Sequence, residues 1–238
     1  MTTIPSAPTP PPFGGAPRAR WAAGRPTGLT TATIGLTGGV AVATLFGALA
    51  SRAMYANFDQ YVGSNPTIDA TYLASQGLSG LASLLMLGSY ITLALWMSKV
   101  HRRLTEAGEA QPLSEIWAWF VWLIPLASIV MPYLYFRGLN RRARSRTVGA
   151  WWLTYIASGV ASMVGAAQVI AASDFSVAFK DANDPLAGID LSPLGVAGVV
   201  SAVLLVVSWV FLAATLRAIT ARDVTGRDVT VRAANASS

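Results

Sequence analysis

The 238-residue sequence contains no cysteine, and only 12% of its residues are charged. Without a thiol the chain cannot form disulfides, zinc–thiolate sites, iron–sulfur clusters or a cysteine nucleophile. Soluble domains are about a quarter charged, whereas 53% of this chain is hydrophobic. This balance predicts that lipid, rather than water, surrounds most of the folded protein.

The few charges are crowded together, which leaves long uncharged stretches between them. Five apolar tracts each reach the roughly 20 residues that a helix needs to cross the hydrocarbon. They run over 29–50, 78–98, 116–136, 148–172 and 191–216, and none contains Asp, Glu, Lys, Arg or His. Barrel strands would be shorter and would alternate, so the sequence predicts an all-α integral membrane protein.

The positions of the charges reduce the five tracts to four transmembrane helices. Cytoplasmic loops of membrane proteins carry an excess of Lys and Arg. If all five tracts crossed, the five arginines at 137–147 would lie outside while the N-terminus lay inside. If 116–136 instead leaves on the side it entered, 15 of the 17 basic residues and 5 of the 11 acidic ones are cytoplasmic. The second arrangement obeys the rule and is our prediction.

The tract at 116–136 also contains Pro125 and Pro132, which remove backbone donors and disfavour a straight helix. We predict a Pro-broken re-entrant or in-plane segment over 114–136, between helices two and three. A kinked ordinary span is the alternative, because membrane helices tolerate proline. The four helices then form two hairpins and run over about 29–51, 78–99, 148–172 and 191–217.

The two ends of the chain differ in composition from the membrane domain at 29–217. Residues 1–28 are rich in Pro, Gly, Ala and Thr, and such a segment buries too little apolar surface to fold. The other end, 218–238, is polar and mixed in charge from residue 223 onward. We therefore predict a disordered cytoplasmic tail before the membrane domain and a loose cytoplasmic tail after it.

Small residues recur at every fourth position of the first tract and give its helix one smooth face. Such a face lets the backbone of another helix approach closely. Packing within the monomer is the preferred interpretation, and contact with a second copy or with another membrane protein is the alternative. The residues are Gly35, Gly39, Ala43, Gly47 and Ser51.

Five arginines follow the third tract and lie beside the predicted membrane surface. Each basic residue near an anionic membrane contributes about 1 kcal/mol of attraction. We predict contact with anionic lipid headgroups, alongside a role in orienting the chain during insertion. Binding of nucleic acid is not expected, because no folded soluble domain presents these side chains. The residues are Arg137, Arg141, Arg142, Arg144 and Arg146.

Tryptophan is frequent, and in this topology every Trp lies on the cytoplasmic side or in the inner half of the membrane. Rings at that depth are typical of interfacial anchors, and a cavity that stacks its rings on a ligand is the alternative. The residues are Trp21, Trp96, Trp117, Trp119, Trp122, Trp151, Trp152 and Trp209.

The sequence offers no pattern for catalysis, cofactor binding or metal binding. His101 is the only histidine, and the acidic residues at 173–190 lack the central Gly and terminal Glu of a calcium loop. No nucleophile–base pairing or phosphate loop occurs, and no ionisable group lies within the tracts. We predict a non-enzymatic accessory, scaffold or sensor protein. The alternative is a small channel or a lipid or solute transporter with a path near Pro125.

A series of Trp, Pro and Arg residues over 80–217 resembles a known family. The series is Trp96-x-x-Lys99-x-x-Arg102-Arg103, Pro112, Trp117-Ala-Trp119, Trp122-Leu-Ile-Pro125, Pro132-Tyr133, Arg137 and Trp151-Trp152. This order is similar to the actinobacterial membrane family catalogued as domain of unknown function 4328. That family often has an Asn after the basic residues of the second tract, where this chain has Leu104 and Thr105. The resemblance implies a bacterial plasma membrane and supplies no chemistry.

Overall fold

The described part of the chain is helical throughout, apart from short turns. The computed structural model describes residues 27–56, 70–106, 110–122, 124, 127–141, 145–172 and 191–236, and of residues 222–236 only the helix without its side chains. No strand occurs among these residues. The helices are α1 (Thr27–Ala56), α2 (Ala70–Glu106), α3 (Trp117–Phe120), α4 (Ala127–Leu139), α5 (Thr147–Ala172) and α6 (Ser192–Ala236).

Four of these helices are long and apolar enough to cross a membrane, which confirms the predicted all-α class and the number of such helices. The qualifying stretches are Thr27–Tyr55, Leu73–Thr105, Thr147–Ala171 and Ser192–Ala221. The tract at 116–136 is instead divided between α3, with 4 residues, and α4, with 13. Neither is long enough to cross, and the four long apolar helices indicate a membrane location.

The four long helices form a row in the order α2, α1, α6, α5. α1 packs against α2 on one side and against α6 on the other, and α6 also packs against α5. Neighbours run antiparallel, as shown by Gly39 and Gly47 of α1, which lie against Leu85 and Leu78 of α2. The two sequential hairpins, α1–α2 and α5–α6, are therefore joined through the contact between α1 and α6.

One end of this row is tied together by side-chain hydrogen bonds. Trp96 Nε1 donates to Thr30 Oγ1 over 3.0 Å, and the Thr30 hydroxyl lies 3.0 Å from that of Thr220. The hydroxyls of Thr147 and Thr215 lie 2.7 Å apart. We call this the arginine-rich end, because the described chain around it carries Arg102, Arg103, Arg137, Arg141, Arg146 and Arg217.

The chain between α2 and α5, which we call the inter-hairpin segment (110–141), begins and ends at the arginine-rich end. Arg141 Nη1 donates to the carbonyl oxygen of Ala110 at 3.5 Å. A Cβ atom at Gly138 would lie 2.9 Å from Cδ of Pro112, so the two arms of the segment meet here at a contact that only glycine permits.

Two helices are longer than the spans predicted from the sequence. α2 extends past 78–99 in both directions, and α6 continues to Ala236, through the cytoplasmic tail predicted over 218–238. Hydropathy limits the length of a membrane span, but it does not end a helix. No proline and only one glycine, Gly226, occur beyond Leu216, so nothing in the sequence interrupts α6. The predicted tail at 1–28 lies outside the described residues except for Thr27 and Gly28, which begin α1.

The predicted break at Pro132 is not found, because α4 runs through this residue and ends at Leu139. Proline removes a single backbone donor, and Pro132 is fully buried, so packing holds the helix together around the missing hydrogen bond. Pro125, the other predicted break, lies outside the described residues, as does the path near it that a channel or transporter would use.

Candidate functional site

Aromatic side chains fill the gap between α2 and α5 at the arginine-rich end. Phe136 of α4 stacks on Trp96 of α2, with ring centroids 6.0 Å apart, and lies 4.6 Å from the ring of Trp151 on α5. Trp96 and Phe136 are fully buried. Each ring of this size buries about 150–250 Å². α4 therefore acts as a wedge that closes the row of helices at this end, and we call these rings the aromatic wedge.

Two tryptophans of the inter-hairpin segment, Trp119 and Trp122, lie further along α2 and α5. The ring of Trp122 lies 6.3 Å from that of Tyr155 on α5. On the other side, the Tyr90 hydroxyl of α2 donates to the carbonyl oxygen of Trp119, and the two rings meet edge to face. Tyr155 lies eight residues along α5 from Thr147, or roughly 12 Å of helix. The Trp122 ring thus contacts α5 about that far from the arginine-rich end.

An ion pair fixes the first arm of the segment to α2. Arg102 Nη2 lies 2.6 Å from Oε1 of Glu115, and Arg102 Nε donates to the same oxygen over 2.7 Å. The hydrogen bond from Arg102, followed by the positive charge of that residue, holds the pKa of the Glu115 carboxyl below its usual range. The Arg102 side chain is 68% exposed, so the pair contributes at most about 1 kcal/mol and mainly sets position.

Asn140 holds the loop that carries most of the predicted arginines. Its side-chain Nδ2 donates to the carbonyl oxygen of Ser145 at 2.8 Å, and its Oδ1 accepts from the backbone N–H of Ser145 at 3.1 Å. A side-chain amide carries a donor and an acceptor on one planar group, so it can pair with both backbone groups of a single residue. Asn140 is buried, and it joins the described chain on the two sides of 142–144. This role of Asn140 was not predicted from the sequence, although the residue stands immediately before the pair Arg141 and Arg142.

The predicted lipid-contact residues lie together where they are described. Arg137, Arg141 and Arg146 are exposed at the arginine-rich end. Arg142 and Arg144 lie outside the described residues. We use the name arginine loop for residues 137–146.

The predicted smooth face of α1 is used within the chain over its middle part. A Cβ atom at Gly39 would lie 3.2 Å from Leu85 Cδ1, and one at Gly47 would lie 3.6 Å from Leu78 Cβ. Ala43 is buried between them. Gly35 faces open space, and Ser51 is partly exposed. These contacts are intramolecular.

A closer helix approach lies at a residue that the small-residue pattern omitted. A Cβ atom at Gly38 would lie 2.8 Å from the ring of Trp209 on α6. The Trp209 ring lies against α1 there, and its Nε1 donates to the carbonyl oxygen of Ile34 at 2.9 Å. Further along the membrane, the Ser158 hydroxyl donates to the carbonyl oxygen of Ser201 and joins α5 to α6. Polar contacts of this kind stabilise helix pairs in lipid.

Two cavities described in the structure lie at the arginine-rich end. One, of about 450 Å³, lies between the start of α1 and Arg217 of α6. The other, of about 490 Å³, lies beside the last turns of α2. Among the described residues, no group of three or more His, Asp or Glu side chains could hold a metal ion.

The order of these residues along the chain matches one family model over residues 61–221, described as "Domain of unknown function (DUF4328)". The chain belongs to this family. The DUF4328 match includes all of α2, the inter-hairpin segment, α5 and the membrane part of α6, and it begins after α1. The resemblance noted from the Trp, Pro and Arg residues is thereby confirmed and widened. No curated protein and no solved structure matches this chain.

Proposed function

We propose that this DUF4328 protein is a non-catalytic multi-pass protein of a bacterial plasma membrane, with both termini in the cytoplasm. It acts as an accessory, scaffold or sensor protein through helix packing and contact with anionic lipid headgroups. The observation that carries the proposal is the gathering of basic residues at one end. Of the basic side chains described, only Arg52 lies at the opposite end. Those at the arginine-rich end are Lys99, Arg102, Arg103, Arg137, Arg141, Arg146 and Arg217.

The orientation follows from this asymmetry. Basic residues near the ends of spans favour the cytoplasmic side, so the arginine-rich end faces the cytoplasm in our proposal. The chain before Thr27 and the helix beyond Ala221 extend from the same end. Both termini are then cytoplasmic.

The same orientation makes the inter-hairpin segment re-entrant. Its arms meet at the arginine-rich end, and Trp122 contacts α5 roughly 12 Å from that end, less than half of a hydrocarbon layer about 30 Å thick. Backbone that enters lipid without crossing must be covered by protein, because lipid cannot satisfy its hydrogen bonds. The aromatic wedge and the flanking rings of Tyr90 and Tyr155 support the proposal, because they provide that cover.

The described residues on the two sides of 142–144 are held in place, which supports a recognition role. Asn140 pairs with the backbone of Ser145, and Arg141 reaches Ala110 across the segment. Cations beside the headgroups attract anionic lipid by about 1 kcal/mol for each residue. Such a surface can hold a lipid or a membrane partner without any chemical step.

Cysteine accessibility tests the orientation, and the cysteine-free chain needs no background removal. Ala110→Cys, Arg146→Cys and Ser192→Cys place single thiols at exposed residues, two at the arginine-rich end and one at the other. We expect an impermeant maleimide applied to intact cells to label only the Ser192→Cys variant. Lysis should make the other two thiols reactive. If Ala110→Cys and Arg146→Cys were labelled from opposite sides, the segment would cross the membrane and the proposal would be wrong.

Retention of lipid tests the contact at the arginine loop. We expect the triple variant Arg137→Gln, Arg141→Gln, Arg146→Gln to copurify with less anionic phospholipid than the unaltered protein, measured by mass spectrometry of the extracted lipid. Arg52→Gln, at the opposite end, is the control and should retain the original amount. An unchanged lipid content in the triple variant would contradict a role for this loop in lipid contact.

A further inference from the structure

The cavity of about 490 Å³ beside the last turns of α2 has one charged wall and one apolar wall. We call it the α2 pocket. Lys99, Arg102 and Arg103 form the charged wall, together with Glu115 from the inter-hairpin segment. Leu95 of α2, Leu29 of α1 and the ring of Trp119 form the apolar wall. None of these residues belongs to the arginine loop.

The charged wall favours an anion. It brings three cations together with one carboxylate, and that carboxylate already lies 2.6 Å from a guanidinium nitrogen of Arg102. Guanidinium and ammonium groups that converge on one space are the arrangement by which proteins hold phosphate oxygens.

A buried hydroxyl in the same pocket lacks a partner. Ser98 lines the pocket and is only 7% exposed, and its Oγ has no hydrogen-bond partner among the described residues. The hydroxyls of Ser89 and Thr92, on the same helix, do have hydrogen-bond partners. Ser89 donates to the carbonyl oxygen of Leu85 at 2.7 Å, and Thr92 donates to that of Gly88 at 3.0 Å. A buried polar group without a partner is costly, and an oxygen of a bound anion would satisfy the Ser98 hydroxyl.

An exposed apolar strip continues from the pocket along α2. Leu95, Ile91, Leu87 and Leu84 are spaced by three or four residues, so they share one face of the helix. They are 44%, 42%, 59% and 71% exposed. Lys99 and Arg102 extend the same face into the pocket. A ligand that occupies both features must carry an anionic head and a hydrocarbon chain.

We propose that the α2 pocket binds the phosphate of an anionic phospholipid, with one acyl chain lying along Leu95, Ile91, Leu87 and Leu84. Lys99 and Arg103 contact the phosphate oxygens, and Ser98 Oγ donates a hydrogen bond to one of them. Arg102 holds Glu115 away from the anion. This site goes beyond the proposed function, since it is a specific pocket on α2 that needs no contribution from the arginine loop.

Native mass spectrometry of the full chain with phosphatidylglycerol tests the proposal. We expect Lys99→Gln and Ser98→Ala each to weaken phosphatidylglycerol binding about five- to tenfold, as expected when one charge-assisted hydrogen bond is lost. Lys99→Arg should restore binding, which separates loss of the charge from loss of the fold. Arg52→Gln is the control at the opposite end and should bind as the unaltered chain does. Phosphatidylcholine, which carries the same phosphate but no net charge, should bind weakly to every variant.

Several outcomes would overturn the site. Unchanged phosphatidylglycerol binding in both Lys99→Gln and Ser98→Ala would rule out the α2 pocket as a lipid site. If the triple variant of the arginine loop still lost lipid, the proposed function would stand without the pocket. Conversely, loss in these variants alone would support the pocket and contradict the loop. Competition with inorganic phosphate tests whether the natural ligand is a soluble anion instead of a lipid. If it displaced phosphatidylglycerol from the unaltered protein and bound in a Lys99-dependent manner, the ligand would be free phosphate and the lipid would be excluded.

Discussion

The two halves of α2 differ, although hydropathy makes them look alike. From Leu93 to Leu104, toward the arginine-rich end, the helix contributes a run of buried side chains that includes Trp96, Met97 and Val100. From Leu73 to Ile91 it exposes a series of large apolar side chains, among them Leu84 and Met86. The difference arises because the aromatic wedge packs on the first half, whereas the contact described between the inter-hairpin segment and the second half is at Tyr90, near the boundary between the two halves. An apolar helix can therefore be protein core at one end and lipid-facing surface at the other.

The largest effect on stability is expected when the Phe136 ring of the aromatic wedge is removed. Phe136→Ala deletes a fully buried ring that contacts α2 and α5. We expect it to lower the free energy of unfolding by about 3–5 kcal/mol, as is usual for Phe→Ala in a packed core. Leu84→Ala, in the exposed half of α2, is the control and should change it far less. The measurement is thermal unfolding in detergent, with size-exclusion chromatography as the readout of the folded fraction. Equal losses in the two variants would show that the halves do not differ in packing.

A smaller effect is expected where α1 and α6 meet. Gly38→Ala places a methyl group 2.8 Å from the ring of Trp209, which must then shift. We expect a loss of about 1–3 kcal/mol, the usual cost of overpacking. Gly35→Ala adds the same methyl group three residues earlier, where no atom lies within 4 Å. It should be neutral or stabilising, because Ala favours a helix over Gly. The same unfolding measurement decides, and equal behaviour of the two variants would contradict the described contact.

The loop closure at Asn140 should matter less to global stability than to local order. Asn140→Ala removes both hydrogen bonds to the backbone of Ser145, and we expect a loss of about 1 kcal/mol. The arginine loop should then exchange its amide hydrogens faster, while exchange in α6 stays unchanged. Asn140→Asp keeps the acceptor and loses the donor, so its exchange rate should lie between those of the unaltered protein and Asn140→Ala. Unaltered exchange at Ser145 in Asn140→Ala would rule out this closure.

Two properties of the chain determined how much the sequence could predict. Hydropathy acts residue by residue, so it sufficed for the all-α class and for the four long apolar helices. The aromatic wedge depends on which rings meet across helices. These contacts cannot be derived from the sequence of any single helix. Trp96 and Trp151 were predicted to be interfacial anchors, yet they are buried against Phe136. The helix through Pro132 was missed for the same reason, because burial there compensates for a local disadvantage.

The smallest expected effect concerns the ion pair at the edge of the α2 pocket. Arg102→Gln removes the partner of Glu115, and because the pair is exposed we expect a loss below about 1 kcal/mol at neutral pH. The pKa of Glu115 is lowered in the folded protein. The contribution of the pair is therefore present above the pKa of this carboxyl in the unfolded chain, and it disappears as the pH falls through the lower pKa of the folded state. The difference in unfolding temperature between the unaltered protein and Arg102→Gln should accordingly shrink in acid, and it should shrink again in high salt. A difference that persisted at a pH below both pKa values would mean that Arg102 stabilises the protein through other contacts, and that Glu115 is not its principal partner.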